Sequence, residues 1–154
     1  MILIFCRHGS YHKPRDHEDN RECPLTEAGR QEALAAGRFM ADLGLAPDLV
    51  VSTWTRRTRK TAHHVLRALG AEQPLHIVAH GWSAGASRDR IEARVREWSQ
   101  YAPRPPETVL FCGHGAQLRA LKRAFGVEPA FGKEHGAVVV VEIGDAALLA
   151  VEGA

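Results

Sequence analysis

Met1-Ile2-Leu3-Ile4-Phe5-Cys6-Arg7-His8-Gly9 begins the chain, an apolar run that breaks off into a cation, an imidazole and a glycine. A short run with no polar residue reads as a strand buried on both faces, because a half-exposed strand would alternate. Similar runs recur at Leu49 to Val51, Leu75 to Val78, Val109 to Cys112 and Val138 to Ile143. The segments between them carry helical spacing. Thr26 offers an N-cap hydroxyl ahead of Glu27, and Ala33, Ala36, Met40 and Leu43 form one stripe. Ala62, Val65, Leu66 and Leu69 form a second, closed by Gly70 as a C-cap. Ile91, Val95 and Trp98 mark a third helix from Ser87, and Leu118, Leu121 and Phe125 a fourth, ended by Gly126. Strand–helix alternation of this kind predicts an α/β fold, a three-layer α/β/α sandwich on a mostly parallel sheet. Ala147 to Val151, set off from Val138 to Ile143 by Gly144-Asp145, predicts a C-terminal antiparallel hairpin at the sheet edge.

The 154 residues make one domain, 1–154, with no repeat, linker or low-complexity stretch to divide them. Hydrophobic residues at 45% and charged residues at 25% are ordinary for a soluble globular protein. A formal net charge of +2 is too small to announce a nucleic-acid or membrane partner, so electrostatic arguments must be local. The opening apolar run is too short for a membrane span, and lacks the flanks of a signal peptide. Cys6, Cys23 and Cys112 are odd in number and not in CxxC spacing, which reads as buried free thiols in a reducing cytoplasm. The expectation is a cytoplasmic monomer.

In open α/β sheets ligands bind beyond the C-terminal ends of the strands. Arg7-His8-Gly9 follows the first strand there, Ser52-Thr53-Trp54-Thr55 leads from the second into Arg56-Arg57-Thr58-Arg59-Lys60, and Gly113-His114-Gly115 follows the fourth. Glycines beside both histidines let a ligand approach the backbone, and helix N-termini at the same rim attract anions. The plain reading of Arg56 to Lys60 is a solvated helix face. Cations at a helix start nevertheless oppose the macrodipole by about 0.3–1 kcal/mol each. One or two of them are therefore expected to face an anion, and the rest water.

Arg7-His8-Gly9 resembles the RHG signature of the histidine phosphatase superfamily, the group that includes phosphoglycerate mutases. Pro24-Leu25-Thr26-Glu27-Ala28-Gly29 is similar to its PLTxxG segment, and Ser52 to Ala62 to its SSPLxRAxQTA segment, which aligns Arg57 with a phosphate-binding arginine. Gly113-His114-Gly115 resembles its second histidine motif. The motifs stand in family order and cover nearly the whole chain. The resemblance implies that His8 is the nucleophile, that Arg7, Arg57 and His114 hold the phosphoryl oxygens, and that Gly9 and Gly115 adjoin the substrate. The chemistry agrees. A neutral imidazole is a competent nucleophile, and arginine forks stabilise charge spread over phosphoryl oxygens.

Trp54, Thr55 and Lys60 replace the family's Pro, Leu and Gln. More consequential is His76-Ile77-Val78-Ala79-His80-Gly81-Trp82, where many members carry a Glu or Asp as general acid. Here no carboxylate follows until Asp89. His80 is a candidate for that acid, although a loop histidine with no catalytic part is the plainer reading. The missing acid, short length and PLT spacing are similar to the bacterial phosphohistidine phosphatases, the SixA group. That likeness implies a phosphorylated histidine-containing phosphotransfer protein as partner. Its imidazole leaving group needs less help from an acid than an alkoxide does. A small-molecule phosphomonoesterase and a catalytically weak phosphate-binding module are the alternatives. No cofactor, metal or nucleic acid is expected. His12, Asp16, His17, Glu18 and Asp19 match no metal-ligand spacing and read as a polar rim loop, while His63-His64 read as solvent or packing residues on one helix.

Overall fold

The computed structural model describes residues 1–70 and 74–144. Its elements in chain order are β1 (Ile2–Arg7), α1 (Glu27–Asp42), β2 (Leu49–Ser52), α2 (Arg56–Leu69), β3 (Leu75–Val78), α3 (Arg88–Ser99), β4 (Thr108–Gly113), α4 (Gly115–Phe125) and β5 (Val138–Glu142), with a short 3-10 turn at Asn20–Glu22. The five strands form one sheet in the order β3-β2-β4-β1-β5. β1 and β2 flank β4 in parallel, β3 runs parallel to β2, and β5 is antiparallel to β1 at the edge. The partner strand expected for β5, Ala147 to Val151, lies outside the described residues.

Successive strand residues point to opposite faces, and both faces are apolar. Leu3, Phe5, Val51, Val109 and Phe111 pack with Ile91, Val95 and Trp98 of α3 and Leu118 and Leu121 of α4. Ile4, Cys6, Val50, Leu110 and Cys112 pack with Ala33, Ala36 and Met40 of α1 and Ala62 and Val65 of α2. These are the two helical layers of the sandwich, and each large side chain removed from water contributes about 1.5–3 kcal/mol. Small residues bring α1 and α2 close: a Cβ on Gly37 would lie 2.5 Å from the carbonyl oxygen of Val65. Hydroxyl caps start three helices, with Thr26, Thr55 and Ser87 accepting from the backbone of Gly29, Thr58 and Arg90. Gly70 and Gly126 end α2 and α4 in the left-handed region, both at φ 63°.

Two details differ from the sequence pattern. Leu43 does not continue the buried stripe of α1; it is the C-cap residue and is 56% exposed. β3 is not buried on both faces, since as an edge strand it leaves Leu75 and His76 open to water. Cys6, Cys23 and Cys112 are free and buried. Interaction with Cys6, followed by burial, raises the pKa of the Cys112 thiol, which makes it unreactive. Among the described residues no helix is long and apolar enough to cross a membrane.

The first strand end is pressed against the start of α1. A Cβ on Gly29 would overlap the carbonyl of Ser10, and one on Gly9 would overlap the backbone of Gly29. Neither backbone can give way without shifting the loop that holds His8. Gly29→Ala is therefore expected to lower stability by about 1–3 kcal/mol in chemical denaturation. Gly85→Ala, where nothing stands within 4 Å, should change it by less than about 0.5 kcal/mol. Equal effects would mean that the Gly9–Gly29 contact is soft.

Candidate active site

In the parallel ladder Arg7 stands opposite Gly113, and Ser52 opposite Cys112. The strand ends are thus level, and His8, Thr53 and His114 leave three neighbouring strands at one height. The His8 amide donates to the Gly113 carbonyl at 2.9 Å, extending the ladder by one bond. The His8 ring is almost out of solvent, at 5% exposure. Its Nδ1 lies 2.8 Å from the carbonyl oxygen of Gly9. A carbonyl only accepts, so Nδ1 carries the proton and Nε2 keeps its lone pair. The turn itself is tied to α2: the Gly9 amide donates to Thr61 Oγ1 at 3.0 Å, and that hydroxyl donates to the Arg57 carbonyl at 2.7 Å. Three rings surround His8, with centroids 5.3 Å away at His114 and 5.5 Å away at Tyr11 and His135.

Arg57 comes from the first turn of α2 and is 8% exposed, whereas Arg56 and Arg59 on the same turn face water. Its Nη1 donates to the Asn20 carbonyl at 2.9 Å and to Asn20 Oδ1 at 3.2 Å, and its guanidinium lies 4.3 Å over the Tyr11 ring. Arg7 places Nη1 3.3 Å from Glu134 Oε2. Both arginines hold Nε out of solvent with no hydrogen-bond partner among the described residues. Buried guanidinium donors are ordinarily paired, so both groups carry an unsatisfied donor, and both cations lie close enough to His114 to act on its ring.

His114 is the N-cap residue of α4. Its amide donates to Gln117 Oε1 at 2.9 Å, and its Nε2 lies 2.8 Å from Thr53 Oγ1, which is itself 2.8 Å from Thr58 Oγ1. Burial first, then the charges of Arg57 and Arg7, lowers the pKa of His114 to about 4. Burial is also the main reason that the His8 pKa falls to about 3, aided by His114, Arg57 and His135 and opposed by the Gly9 hydrogen bond. His135 is lowered too, by burial and Arg7, against Glu32 and Glu134. At neutral pH the nucleophile candidate is an uncharged imidazole inside a positive field.

Arg7, His8, Arg57 and His114 are therefore brought to one place. Gly9 packs on Gly29, and Gly115 leaves room for Arg7: a Cβ there would lie 3.1 Å from its guanidinium. His80 is exposed and stands beside Trp54, ring centroids 6.0 Å apart, and is not among the rings packed on His8. Asp89 lies in the first turn of α3. The loop 12–19 is largely turned to water, with Asp19 capping the 3-10 turn and Glu18 accepting from the Arg15 amide. Among the described residues no group of three or more His, Cys, Asp or Glu is placed to hold a metal ion. Thr53, Thr61, Tyr11, Asn20, Glu134 and His135 were not singled out by sequence. Thr61, one helical turn after Arg57, was the most legible of these; Tyr11, Asn20 and His135 sit in irregular loops with no period to read.

Residues 3–80 match the family model of the histidine phosphatase superfamily (branch 1). The chain is similar to the 2,3-bisphosphoglycerate-dependent phosphoglycerate mutase of Bartonella tribocorum, 26% identical over an alignment that covers 79% of this chain and 80% of the mutase. It is also similar to the mitochondrial serine/threonine-protein phosphatase Pgam5 of Drosophila willistoni, 31% identical over 76% of this chain and 47% of that protein. In fold it is similar to the putative phosphohistidine phosphatase SixA of Agrobacterium tumefaciens, with a TM-score of 0.69 at 20% identity over 92% of this chain and 90% of that one. The protein histidine phosphatase SixA in complex with tungstate gives 0.70 at 16% identity over 92% and 88%. At these identities the shared property is the fold.

The two depressed imidazoles set a pH dependence. An unfolded histidine titrates near ~6.5 and binds a proton that folded His8 refuses until about pH 3 and His114 until about pH 4. Protons therefore favour the unfolded chain between those limits. Stability should be full above pH ~6.5 and decline as pH falls below it, down to the folded values. In phosphate-free buffer, His8→Gln should flatten that decline. Nitrogen-15 NMR should show His8 neutral and Nδ1-protonated at pH 6; a His8 titration near ~6.5 would contradict the burial argument.

Proposed function

We propose that this chain, which belongs to the histidine phosphatase superfamily (branch 1), removes phosphoryl groups in two steps through a phosphoenzyme on Nε2 of His8, without a metal ion. The observation that carries this reading is the His8–Gly9 hydrogen bond. It commits the ring proton to Nδ1 and leaves the Nε2 lone pair free, in a site where Arg57 acts on His8 and both Arg57 and Arg7 act on His114. In the first step that lone pair forms a bond to phosphorus, while the leaving group departs with its own electron pair. In the second, a water oxygen attacks phosphorus, the P–N bond breaks, and its electrons return to Nε2. Arg7, Arg57 and His114 stabilise the charge that builds on the phosphoryl oxygens. The Arg7–Glu134 pair does not obstruct this. Glu134 is 82% exposed, and such a pair is worth at most about 1 kcal/mol, so a phosphoryl dianion readily takes its place.

The substrate we favour is phosphohistidine on a protein, with a histidine-containing phosphotransfer protein as partner. Supporting this is the absence of a carboxylate between β3 and Asp89 and the exposure of His80 on the rim. A leaving group that needs little protonation suits such a site. A small-molecule phosphomonoesterase is the second reading, and the mutase among the relatives is what favours it.

A series of phosphate esters with graded leaving-group pKa separates the two, run beside a phosphorylated histidine protein. We expect kcat/KM to decline steeply as that pKa rises, the phosphohistidine protein to be a good substrate, and chelators to have no effect. Rapid quench with labelled substrate should trap an acid-labile, base-stable adduct that His8→Ala abolishes. A flat series would point to an undetected proton donor and to the phosphomonoesterase. Among the arginines, Arg57→Ala should lower turnover by about 10²–10³, the range for a positioned donor, while Arg56→Ala and Arg59→Ala stay near wild type. Equal losses at all three would mean that the run acts as a diffuse field.

A further inference from the structure

α2 has no acidic residue in its 14 positions, yet it exposes Arg56, Arg59, Lys60, His63 and Arg67. Arg57 is absorbed by the site, and Arg59 approaches Glu22 at 3.9 Å. Arg56, Lys60, His63 and His64 are left along one stripe at i, i+4, i+7 and i+8. They do not stand alone. With Arg30 of α1 they line a recess of about 370 Å³ whose remaining wall is Pro24 and Leu25. His63 and His64 thus share one recess, with ring centroids 5.3 Å apart. His64 Nδ1 is shielded from solvent there with no hydrogen-bond partner. Arg30 pairs with Glu27, but among the described residues Lys60 and Arg67 form no ion pair. The field is felt locally: after burial, His63, Arg30, Arg67 and Lys60 lower the pKa of His64. A chain of net charge only +2 has gathered cations on one face, and Arg56 stands in the first turn of α2, where the macrodipole disfavours it.

We propose that this recess docks an acidic segment of a phosphorylated protein substrate, which then runs past the mouth of the His8 site. The proposal rests on the phosphatase reading above and extends it from a phosphoryl group to a protein surface. The stripe from Arg56 to His64 spans about 12 Å at 1.5 Å per residue, too long for one phosphate. An extended chain at about 3.3 Å per residue sets three or four side chains along that length, so carboxylates reach Arg56 and Lys60 while the imidazoles beyond them offer hydrogen bonds. Arg57 projects from the buried side of the same first turn, so a segment on the stripe lies next to the phosphate clamp. The lining favours protein over nucleic acid, because it contains no Phe, Tyr or Trp, the broad faces on which bases stack best.

The test uses phosphotyrosyl peptides of one length whose flanks are glutamate-rich, neutral or lysine-rich, with p-nitrophenyl phosphate as a flank-free control. At low salt the glutamate-flanked peptide should exceed the neutral one in kcat/KM by about tenfold, and 0.5 M salt should erase the advantage. Lys60→Glu with His63→Glu should remove the preference and leave p-nitrophenyl phosphate turnover unchanged; both side chains are exposed, so folding should not suffer. Fluorescence anisotropy of the unphosphorylated glutamate-rich peptide gives a readout free of catalysis, and the double variant should bind it about tenfold more weakly. Equal rates on the three peptides, or a preference that survives the double substitution, would overturn the docking surface. So would a short single-stranded DNA that displaces the acidic peptide at lower concentration. No turnover of p-nitrophenyl phosphate with acidic-peptide binding intact would instead remove the phosphatase reading and leave the surface standing.

Discussion

Arg7 faces Gly113 across the β1–β4 ladder, and one further backbone bond, from the His8 amide to the Gly113 carbonyl, carries that register past the strand ends. Everything in the site depends on it. A slip of one residue would turn every side chain of β1 to the other face of the sheet. Leu3 and Phe5 would exchange layers with Ile4 and Cys6, and His8 would leave the rim that it shares with His114. Because both faces of β1 are packed, the core enforces the register, and the register sets the distance between the two imidazoles.

The same packing explains the electrostatics. Gly9 and Gly29 lack side chains where their backbones meet, so the loop after β1 closes tightly over α1 and takes His8 out of water. Burial holds the imidazole neutral, and the Gly9 carbonyl selects its tautomer. Arg7 and Arg57 are cations kept nearby with donors unused, a costly arrangement unless an anion visits. The strain of this small volume is electrostatic, and under the proposed function a phosphoryl group would relieve it with the charge and geometry that guanidinium donors match.

Much of this is legible in the sequence. The apolar runs marked the strands, and the hydroxyl and glycine caps bounded the helices because each satisfies backbone groups that a helix end leaves open. Arg7, His8 and His114 stand out because they follow strands, and Arg57 because it aligns with an arginine of the motif that Ser52 to Ala62 resembles. Leu43 and β3 misled, since an apolar residue looks the same whether or not a neighbouring element covers it. Tyr11, Asn20, Glu134 and His135 were hidden for another reason. They lie on irregular loops, and what brings them to His8 is the path of the chain across the sheet.

By its order of residues alone this protein determined an alternating α/β chain with its chemistry-bearing side chains at strand ends, because periodicity and capping are local and act within one turn or one strand. Tertiary structure alone decided which arginine of the basic run is buried, which nitrogen of His8 holds the proton, and that Arg30, Lys60 and the paired histidines of α2 surround one recess. Those outcomes depend on what each side chain meets across a helix interface or a sheet end. The Gly9 carbonyl adjoins His8 in sequence, but the turn that aims it at the ring is tied to Thr61 of α2. The partners of Arg57 and the Arg30 wall of the recess are likewise dozens of residues away, where no local pattern reaches.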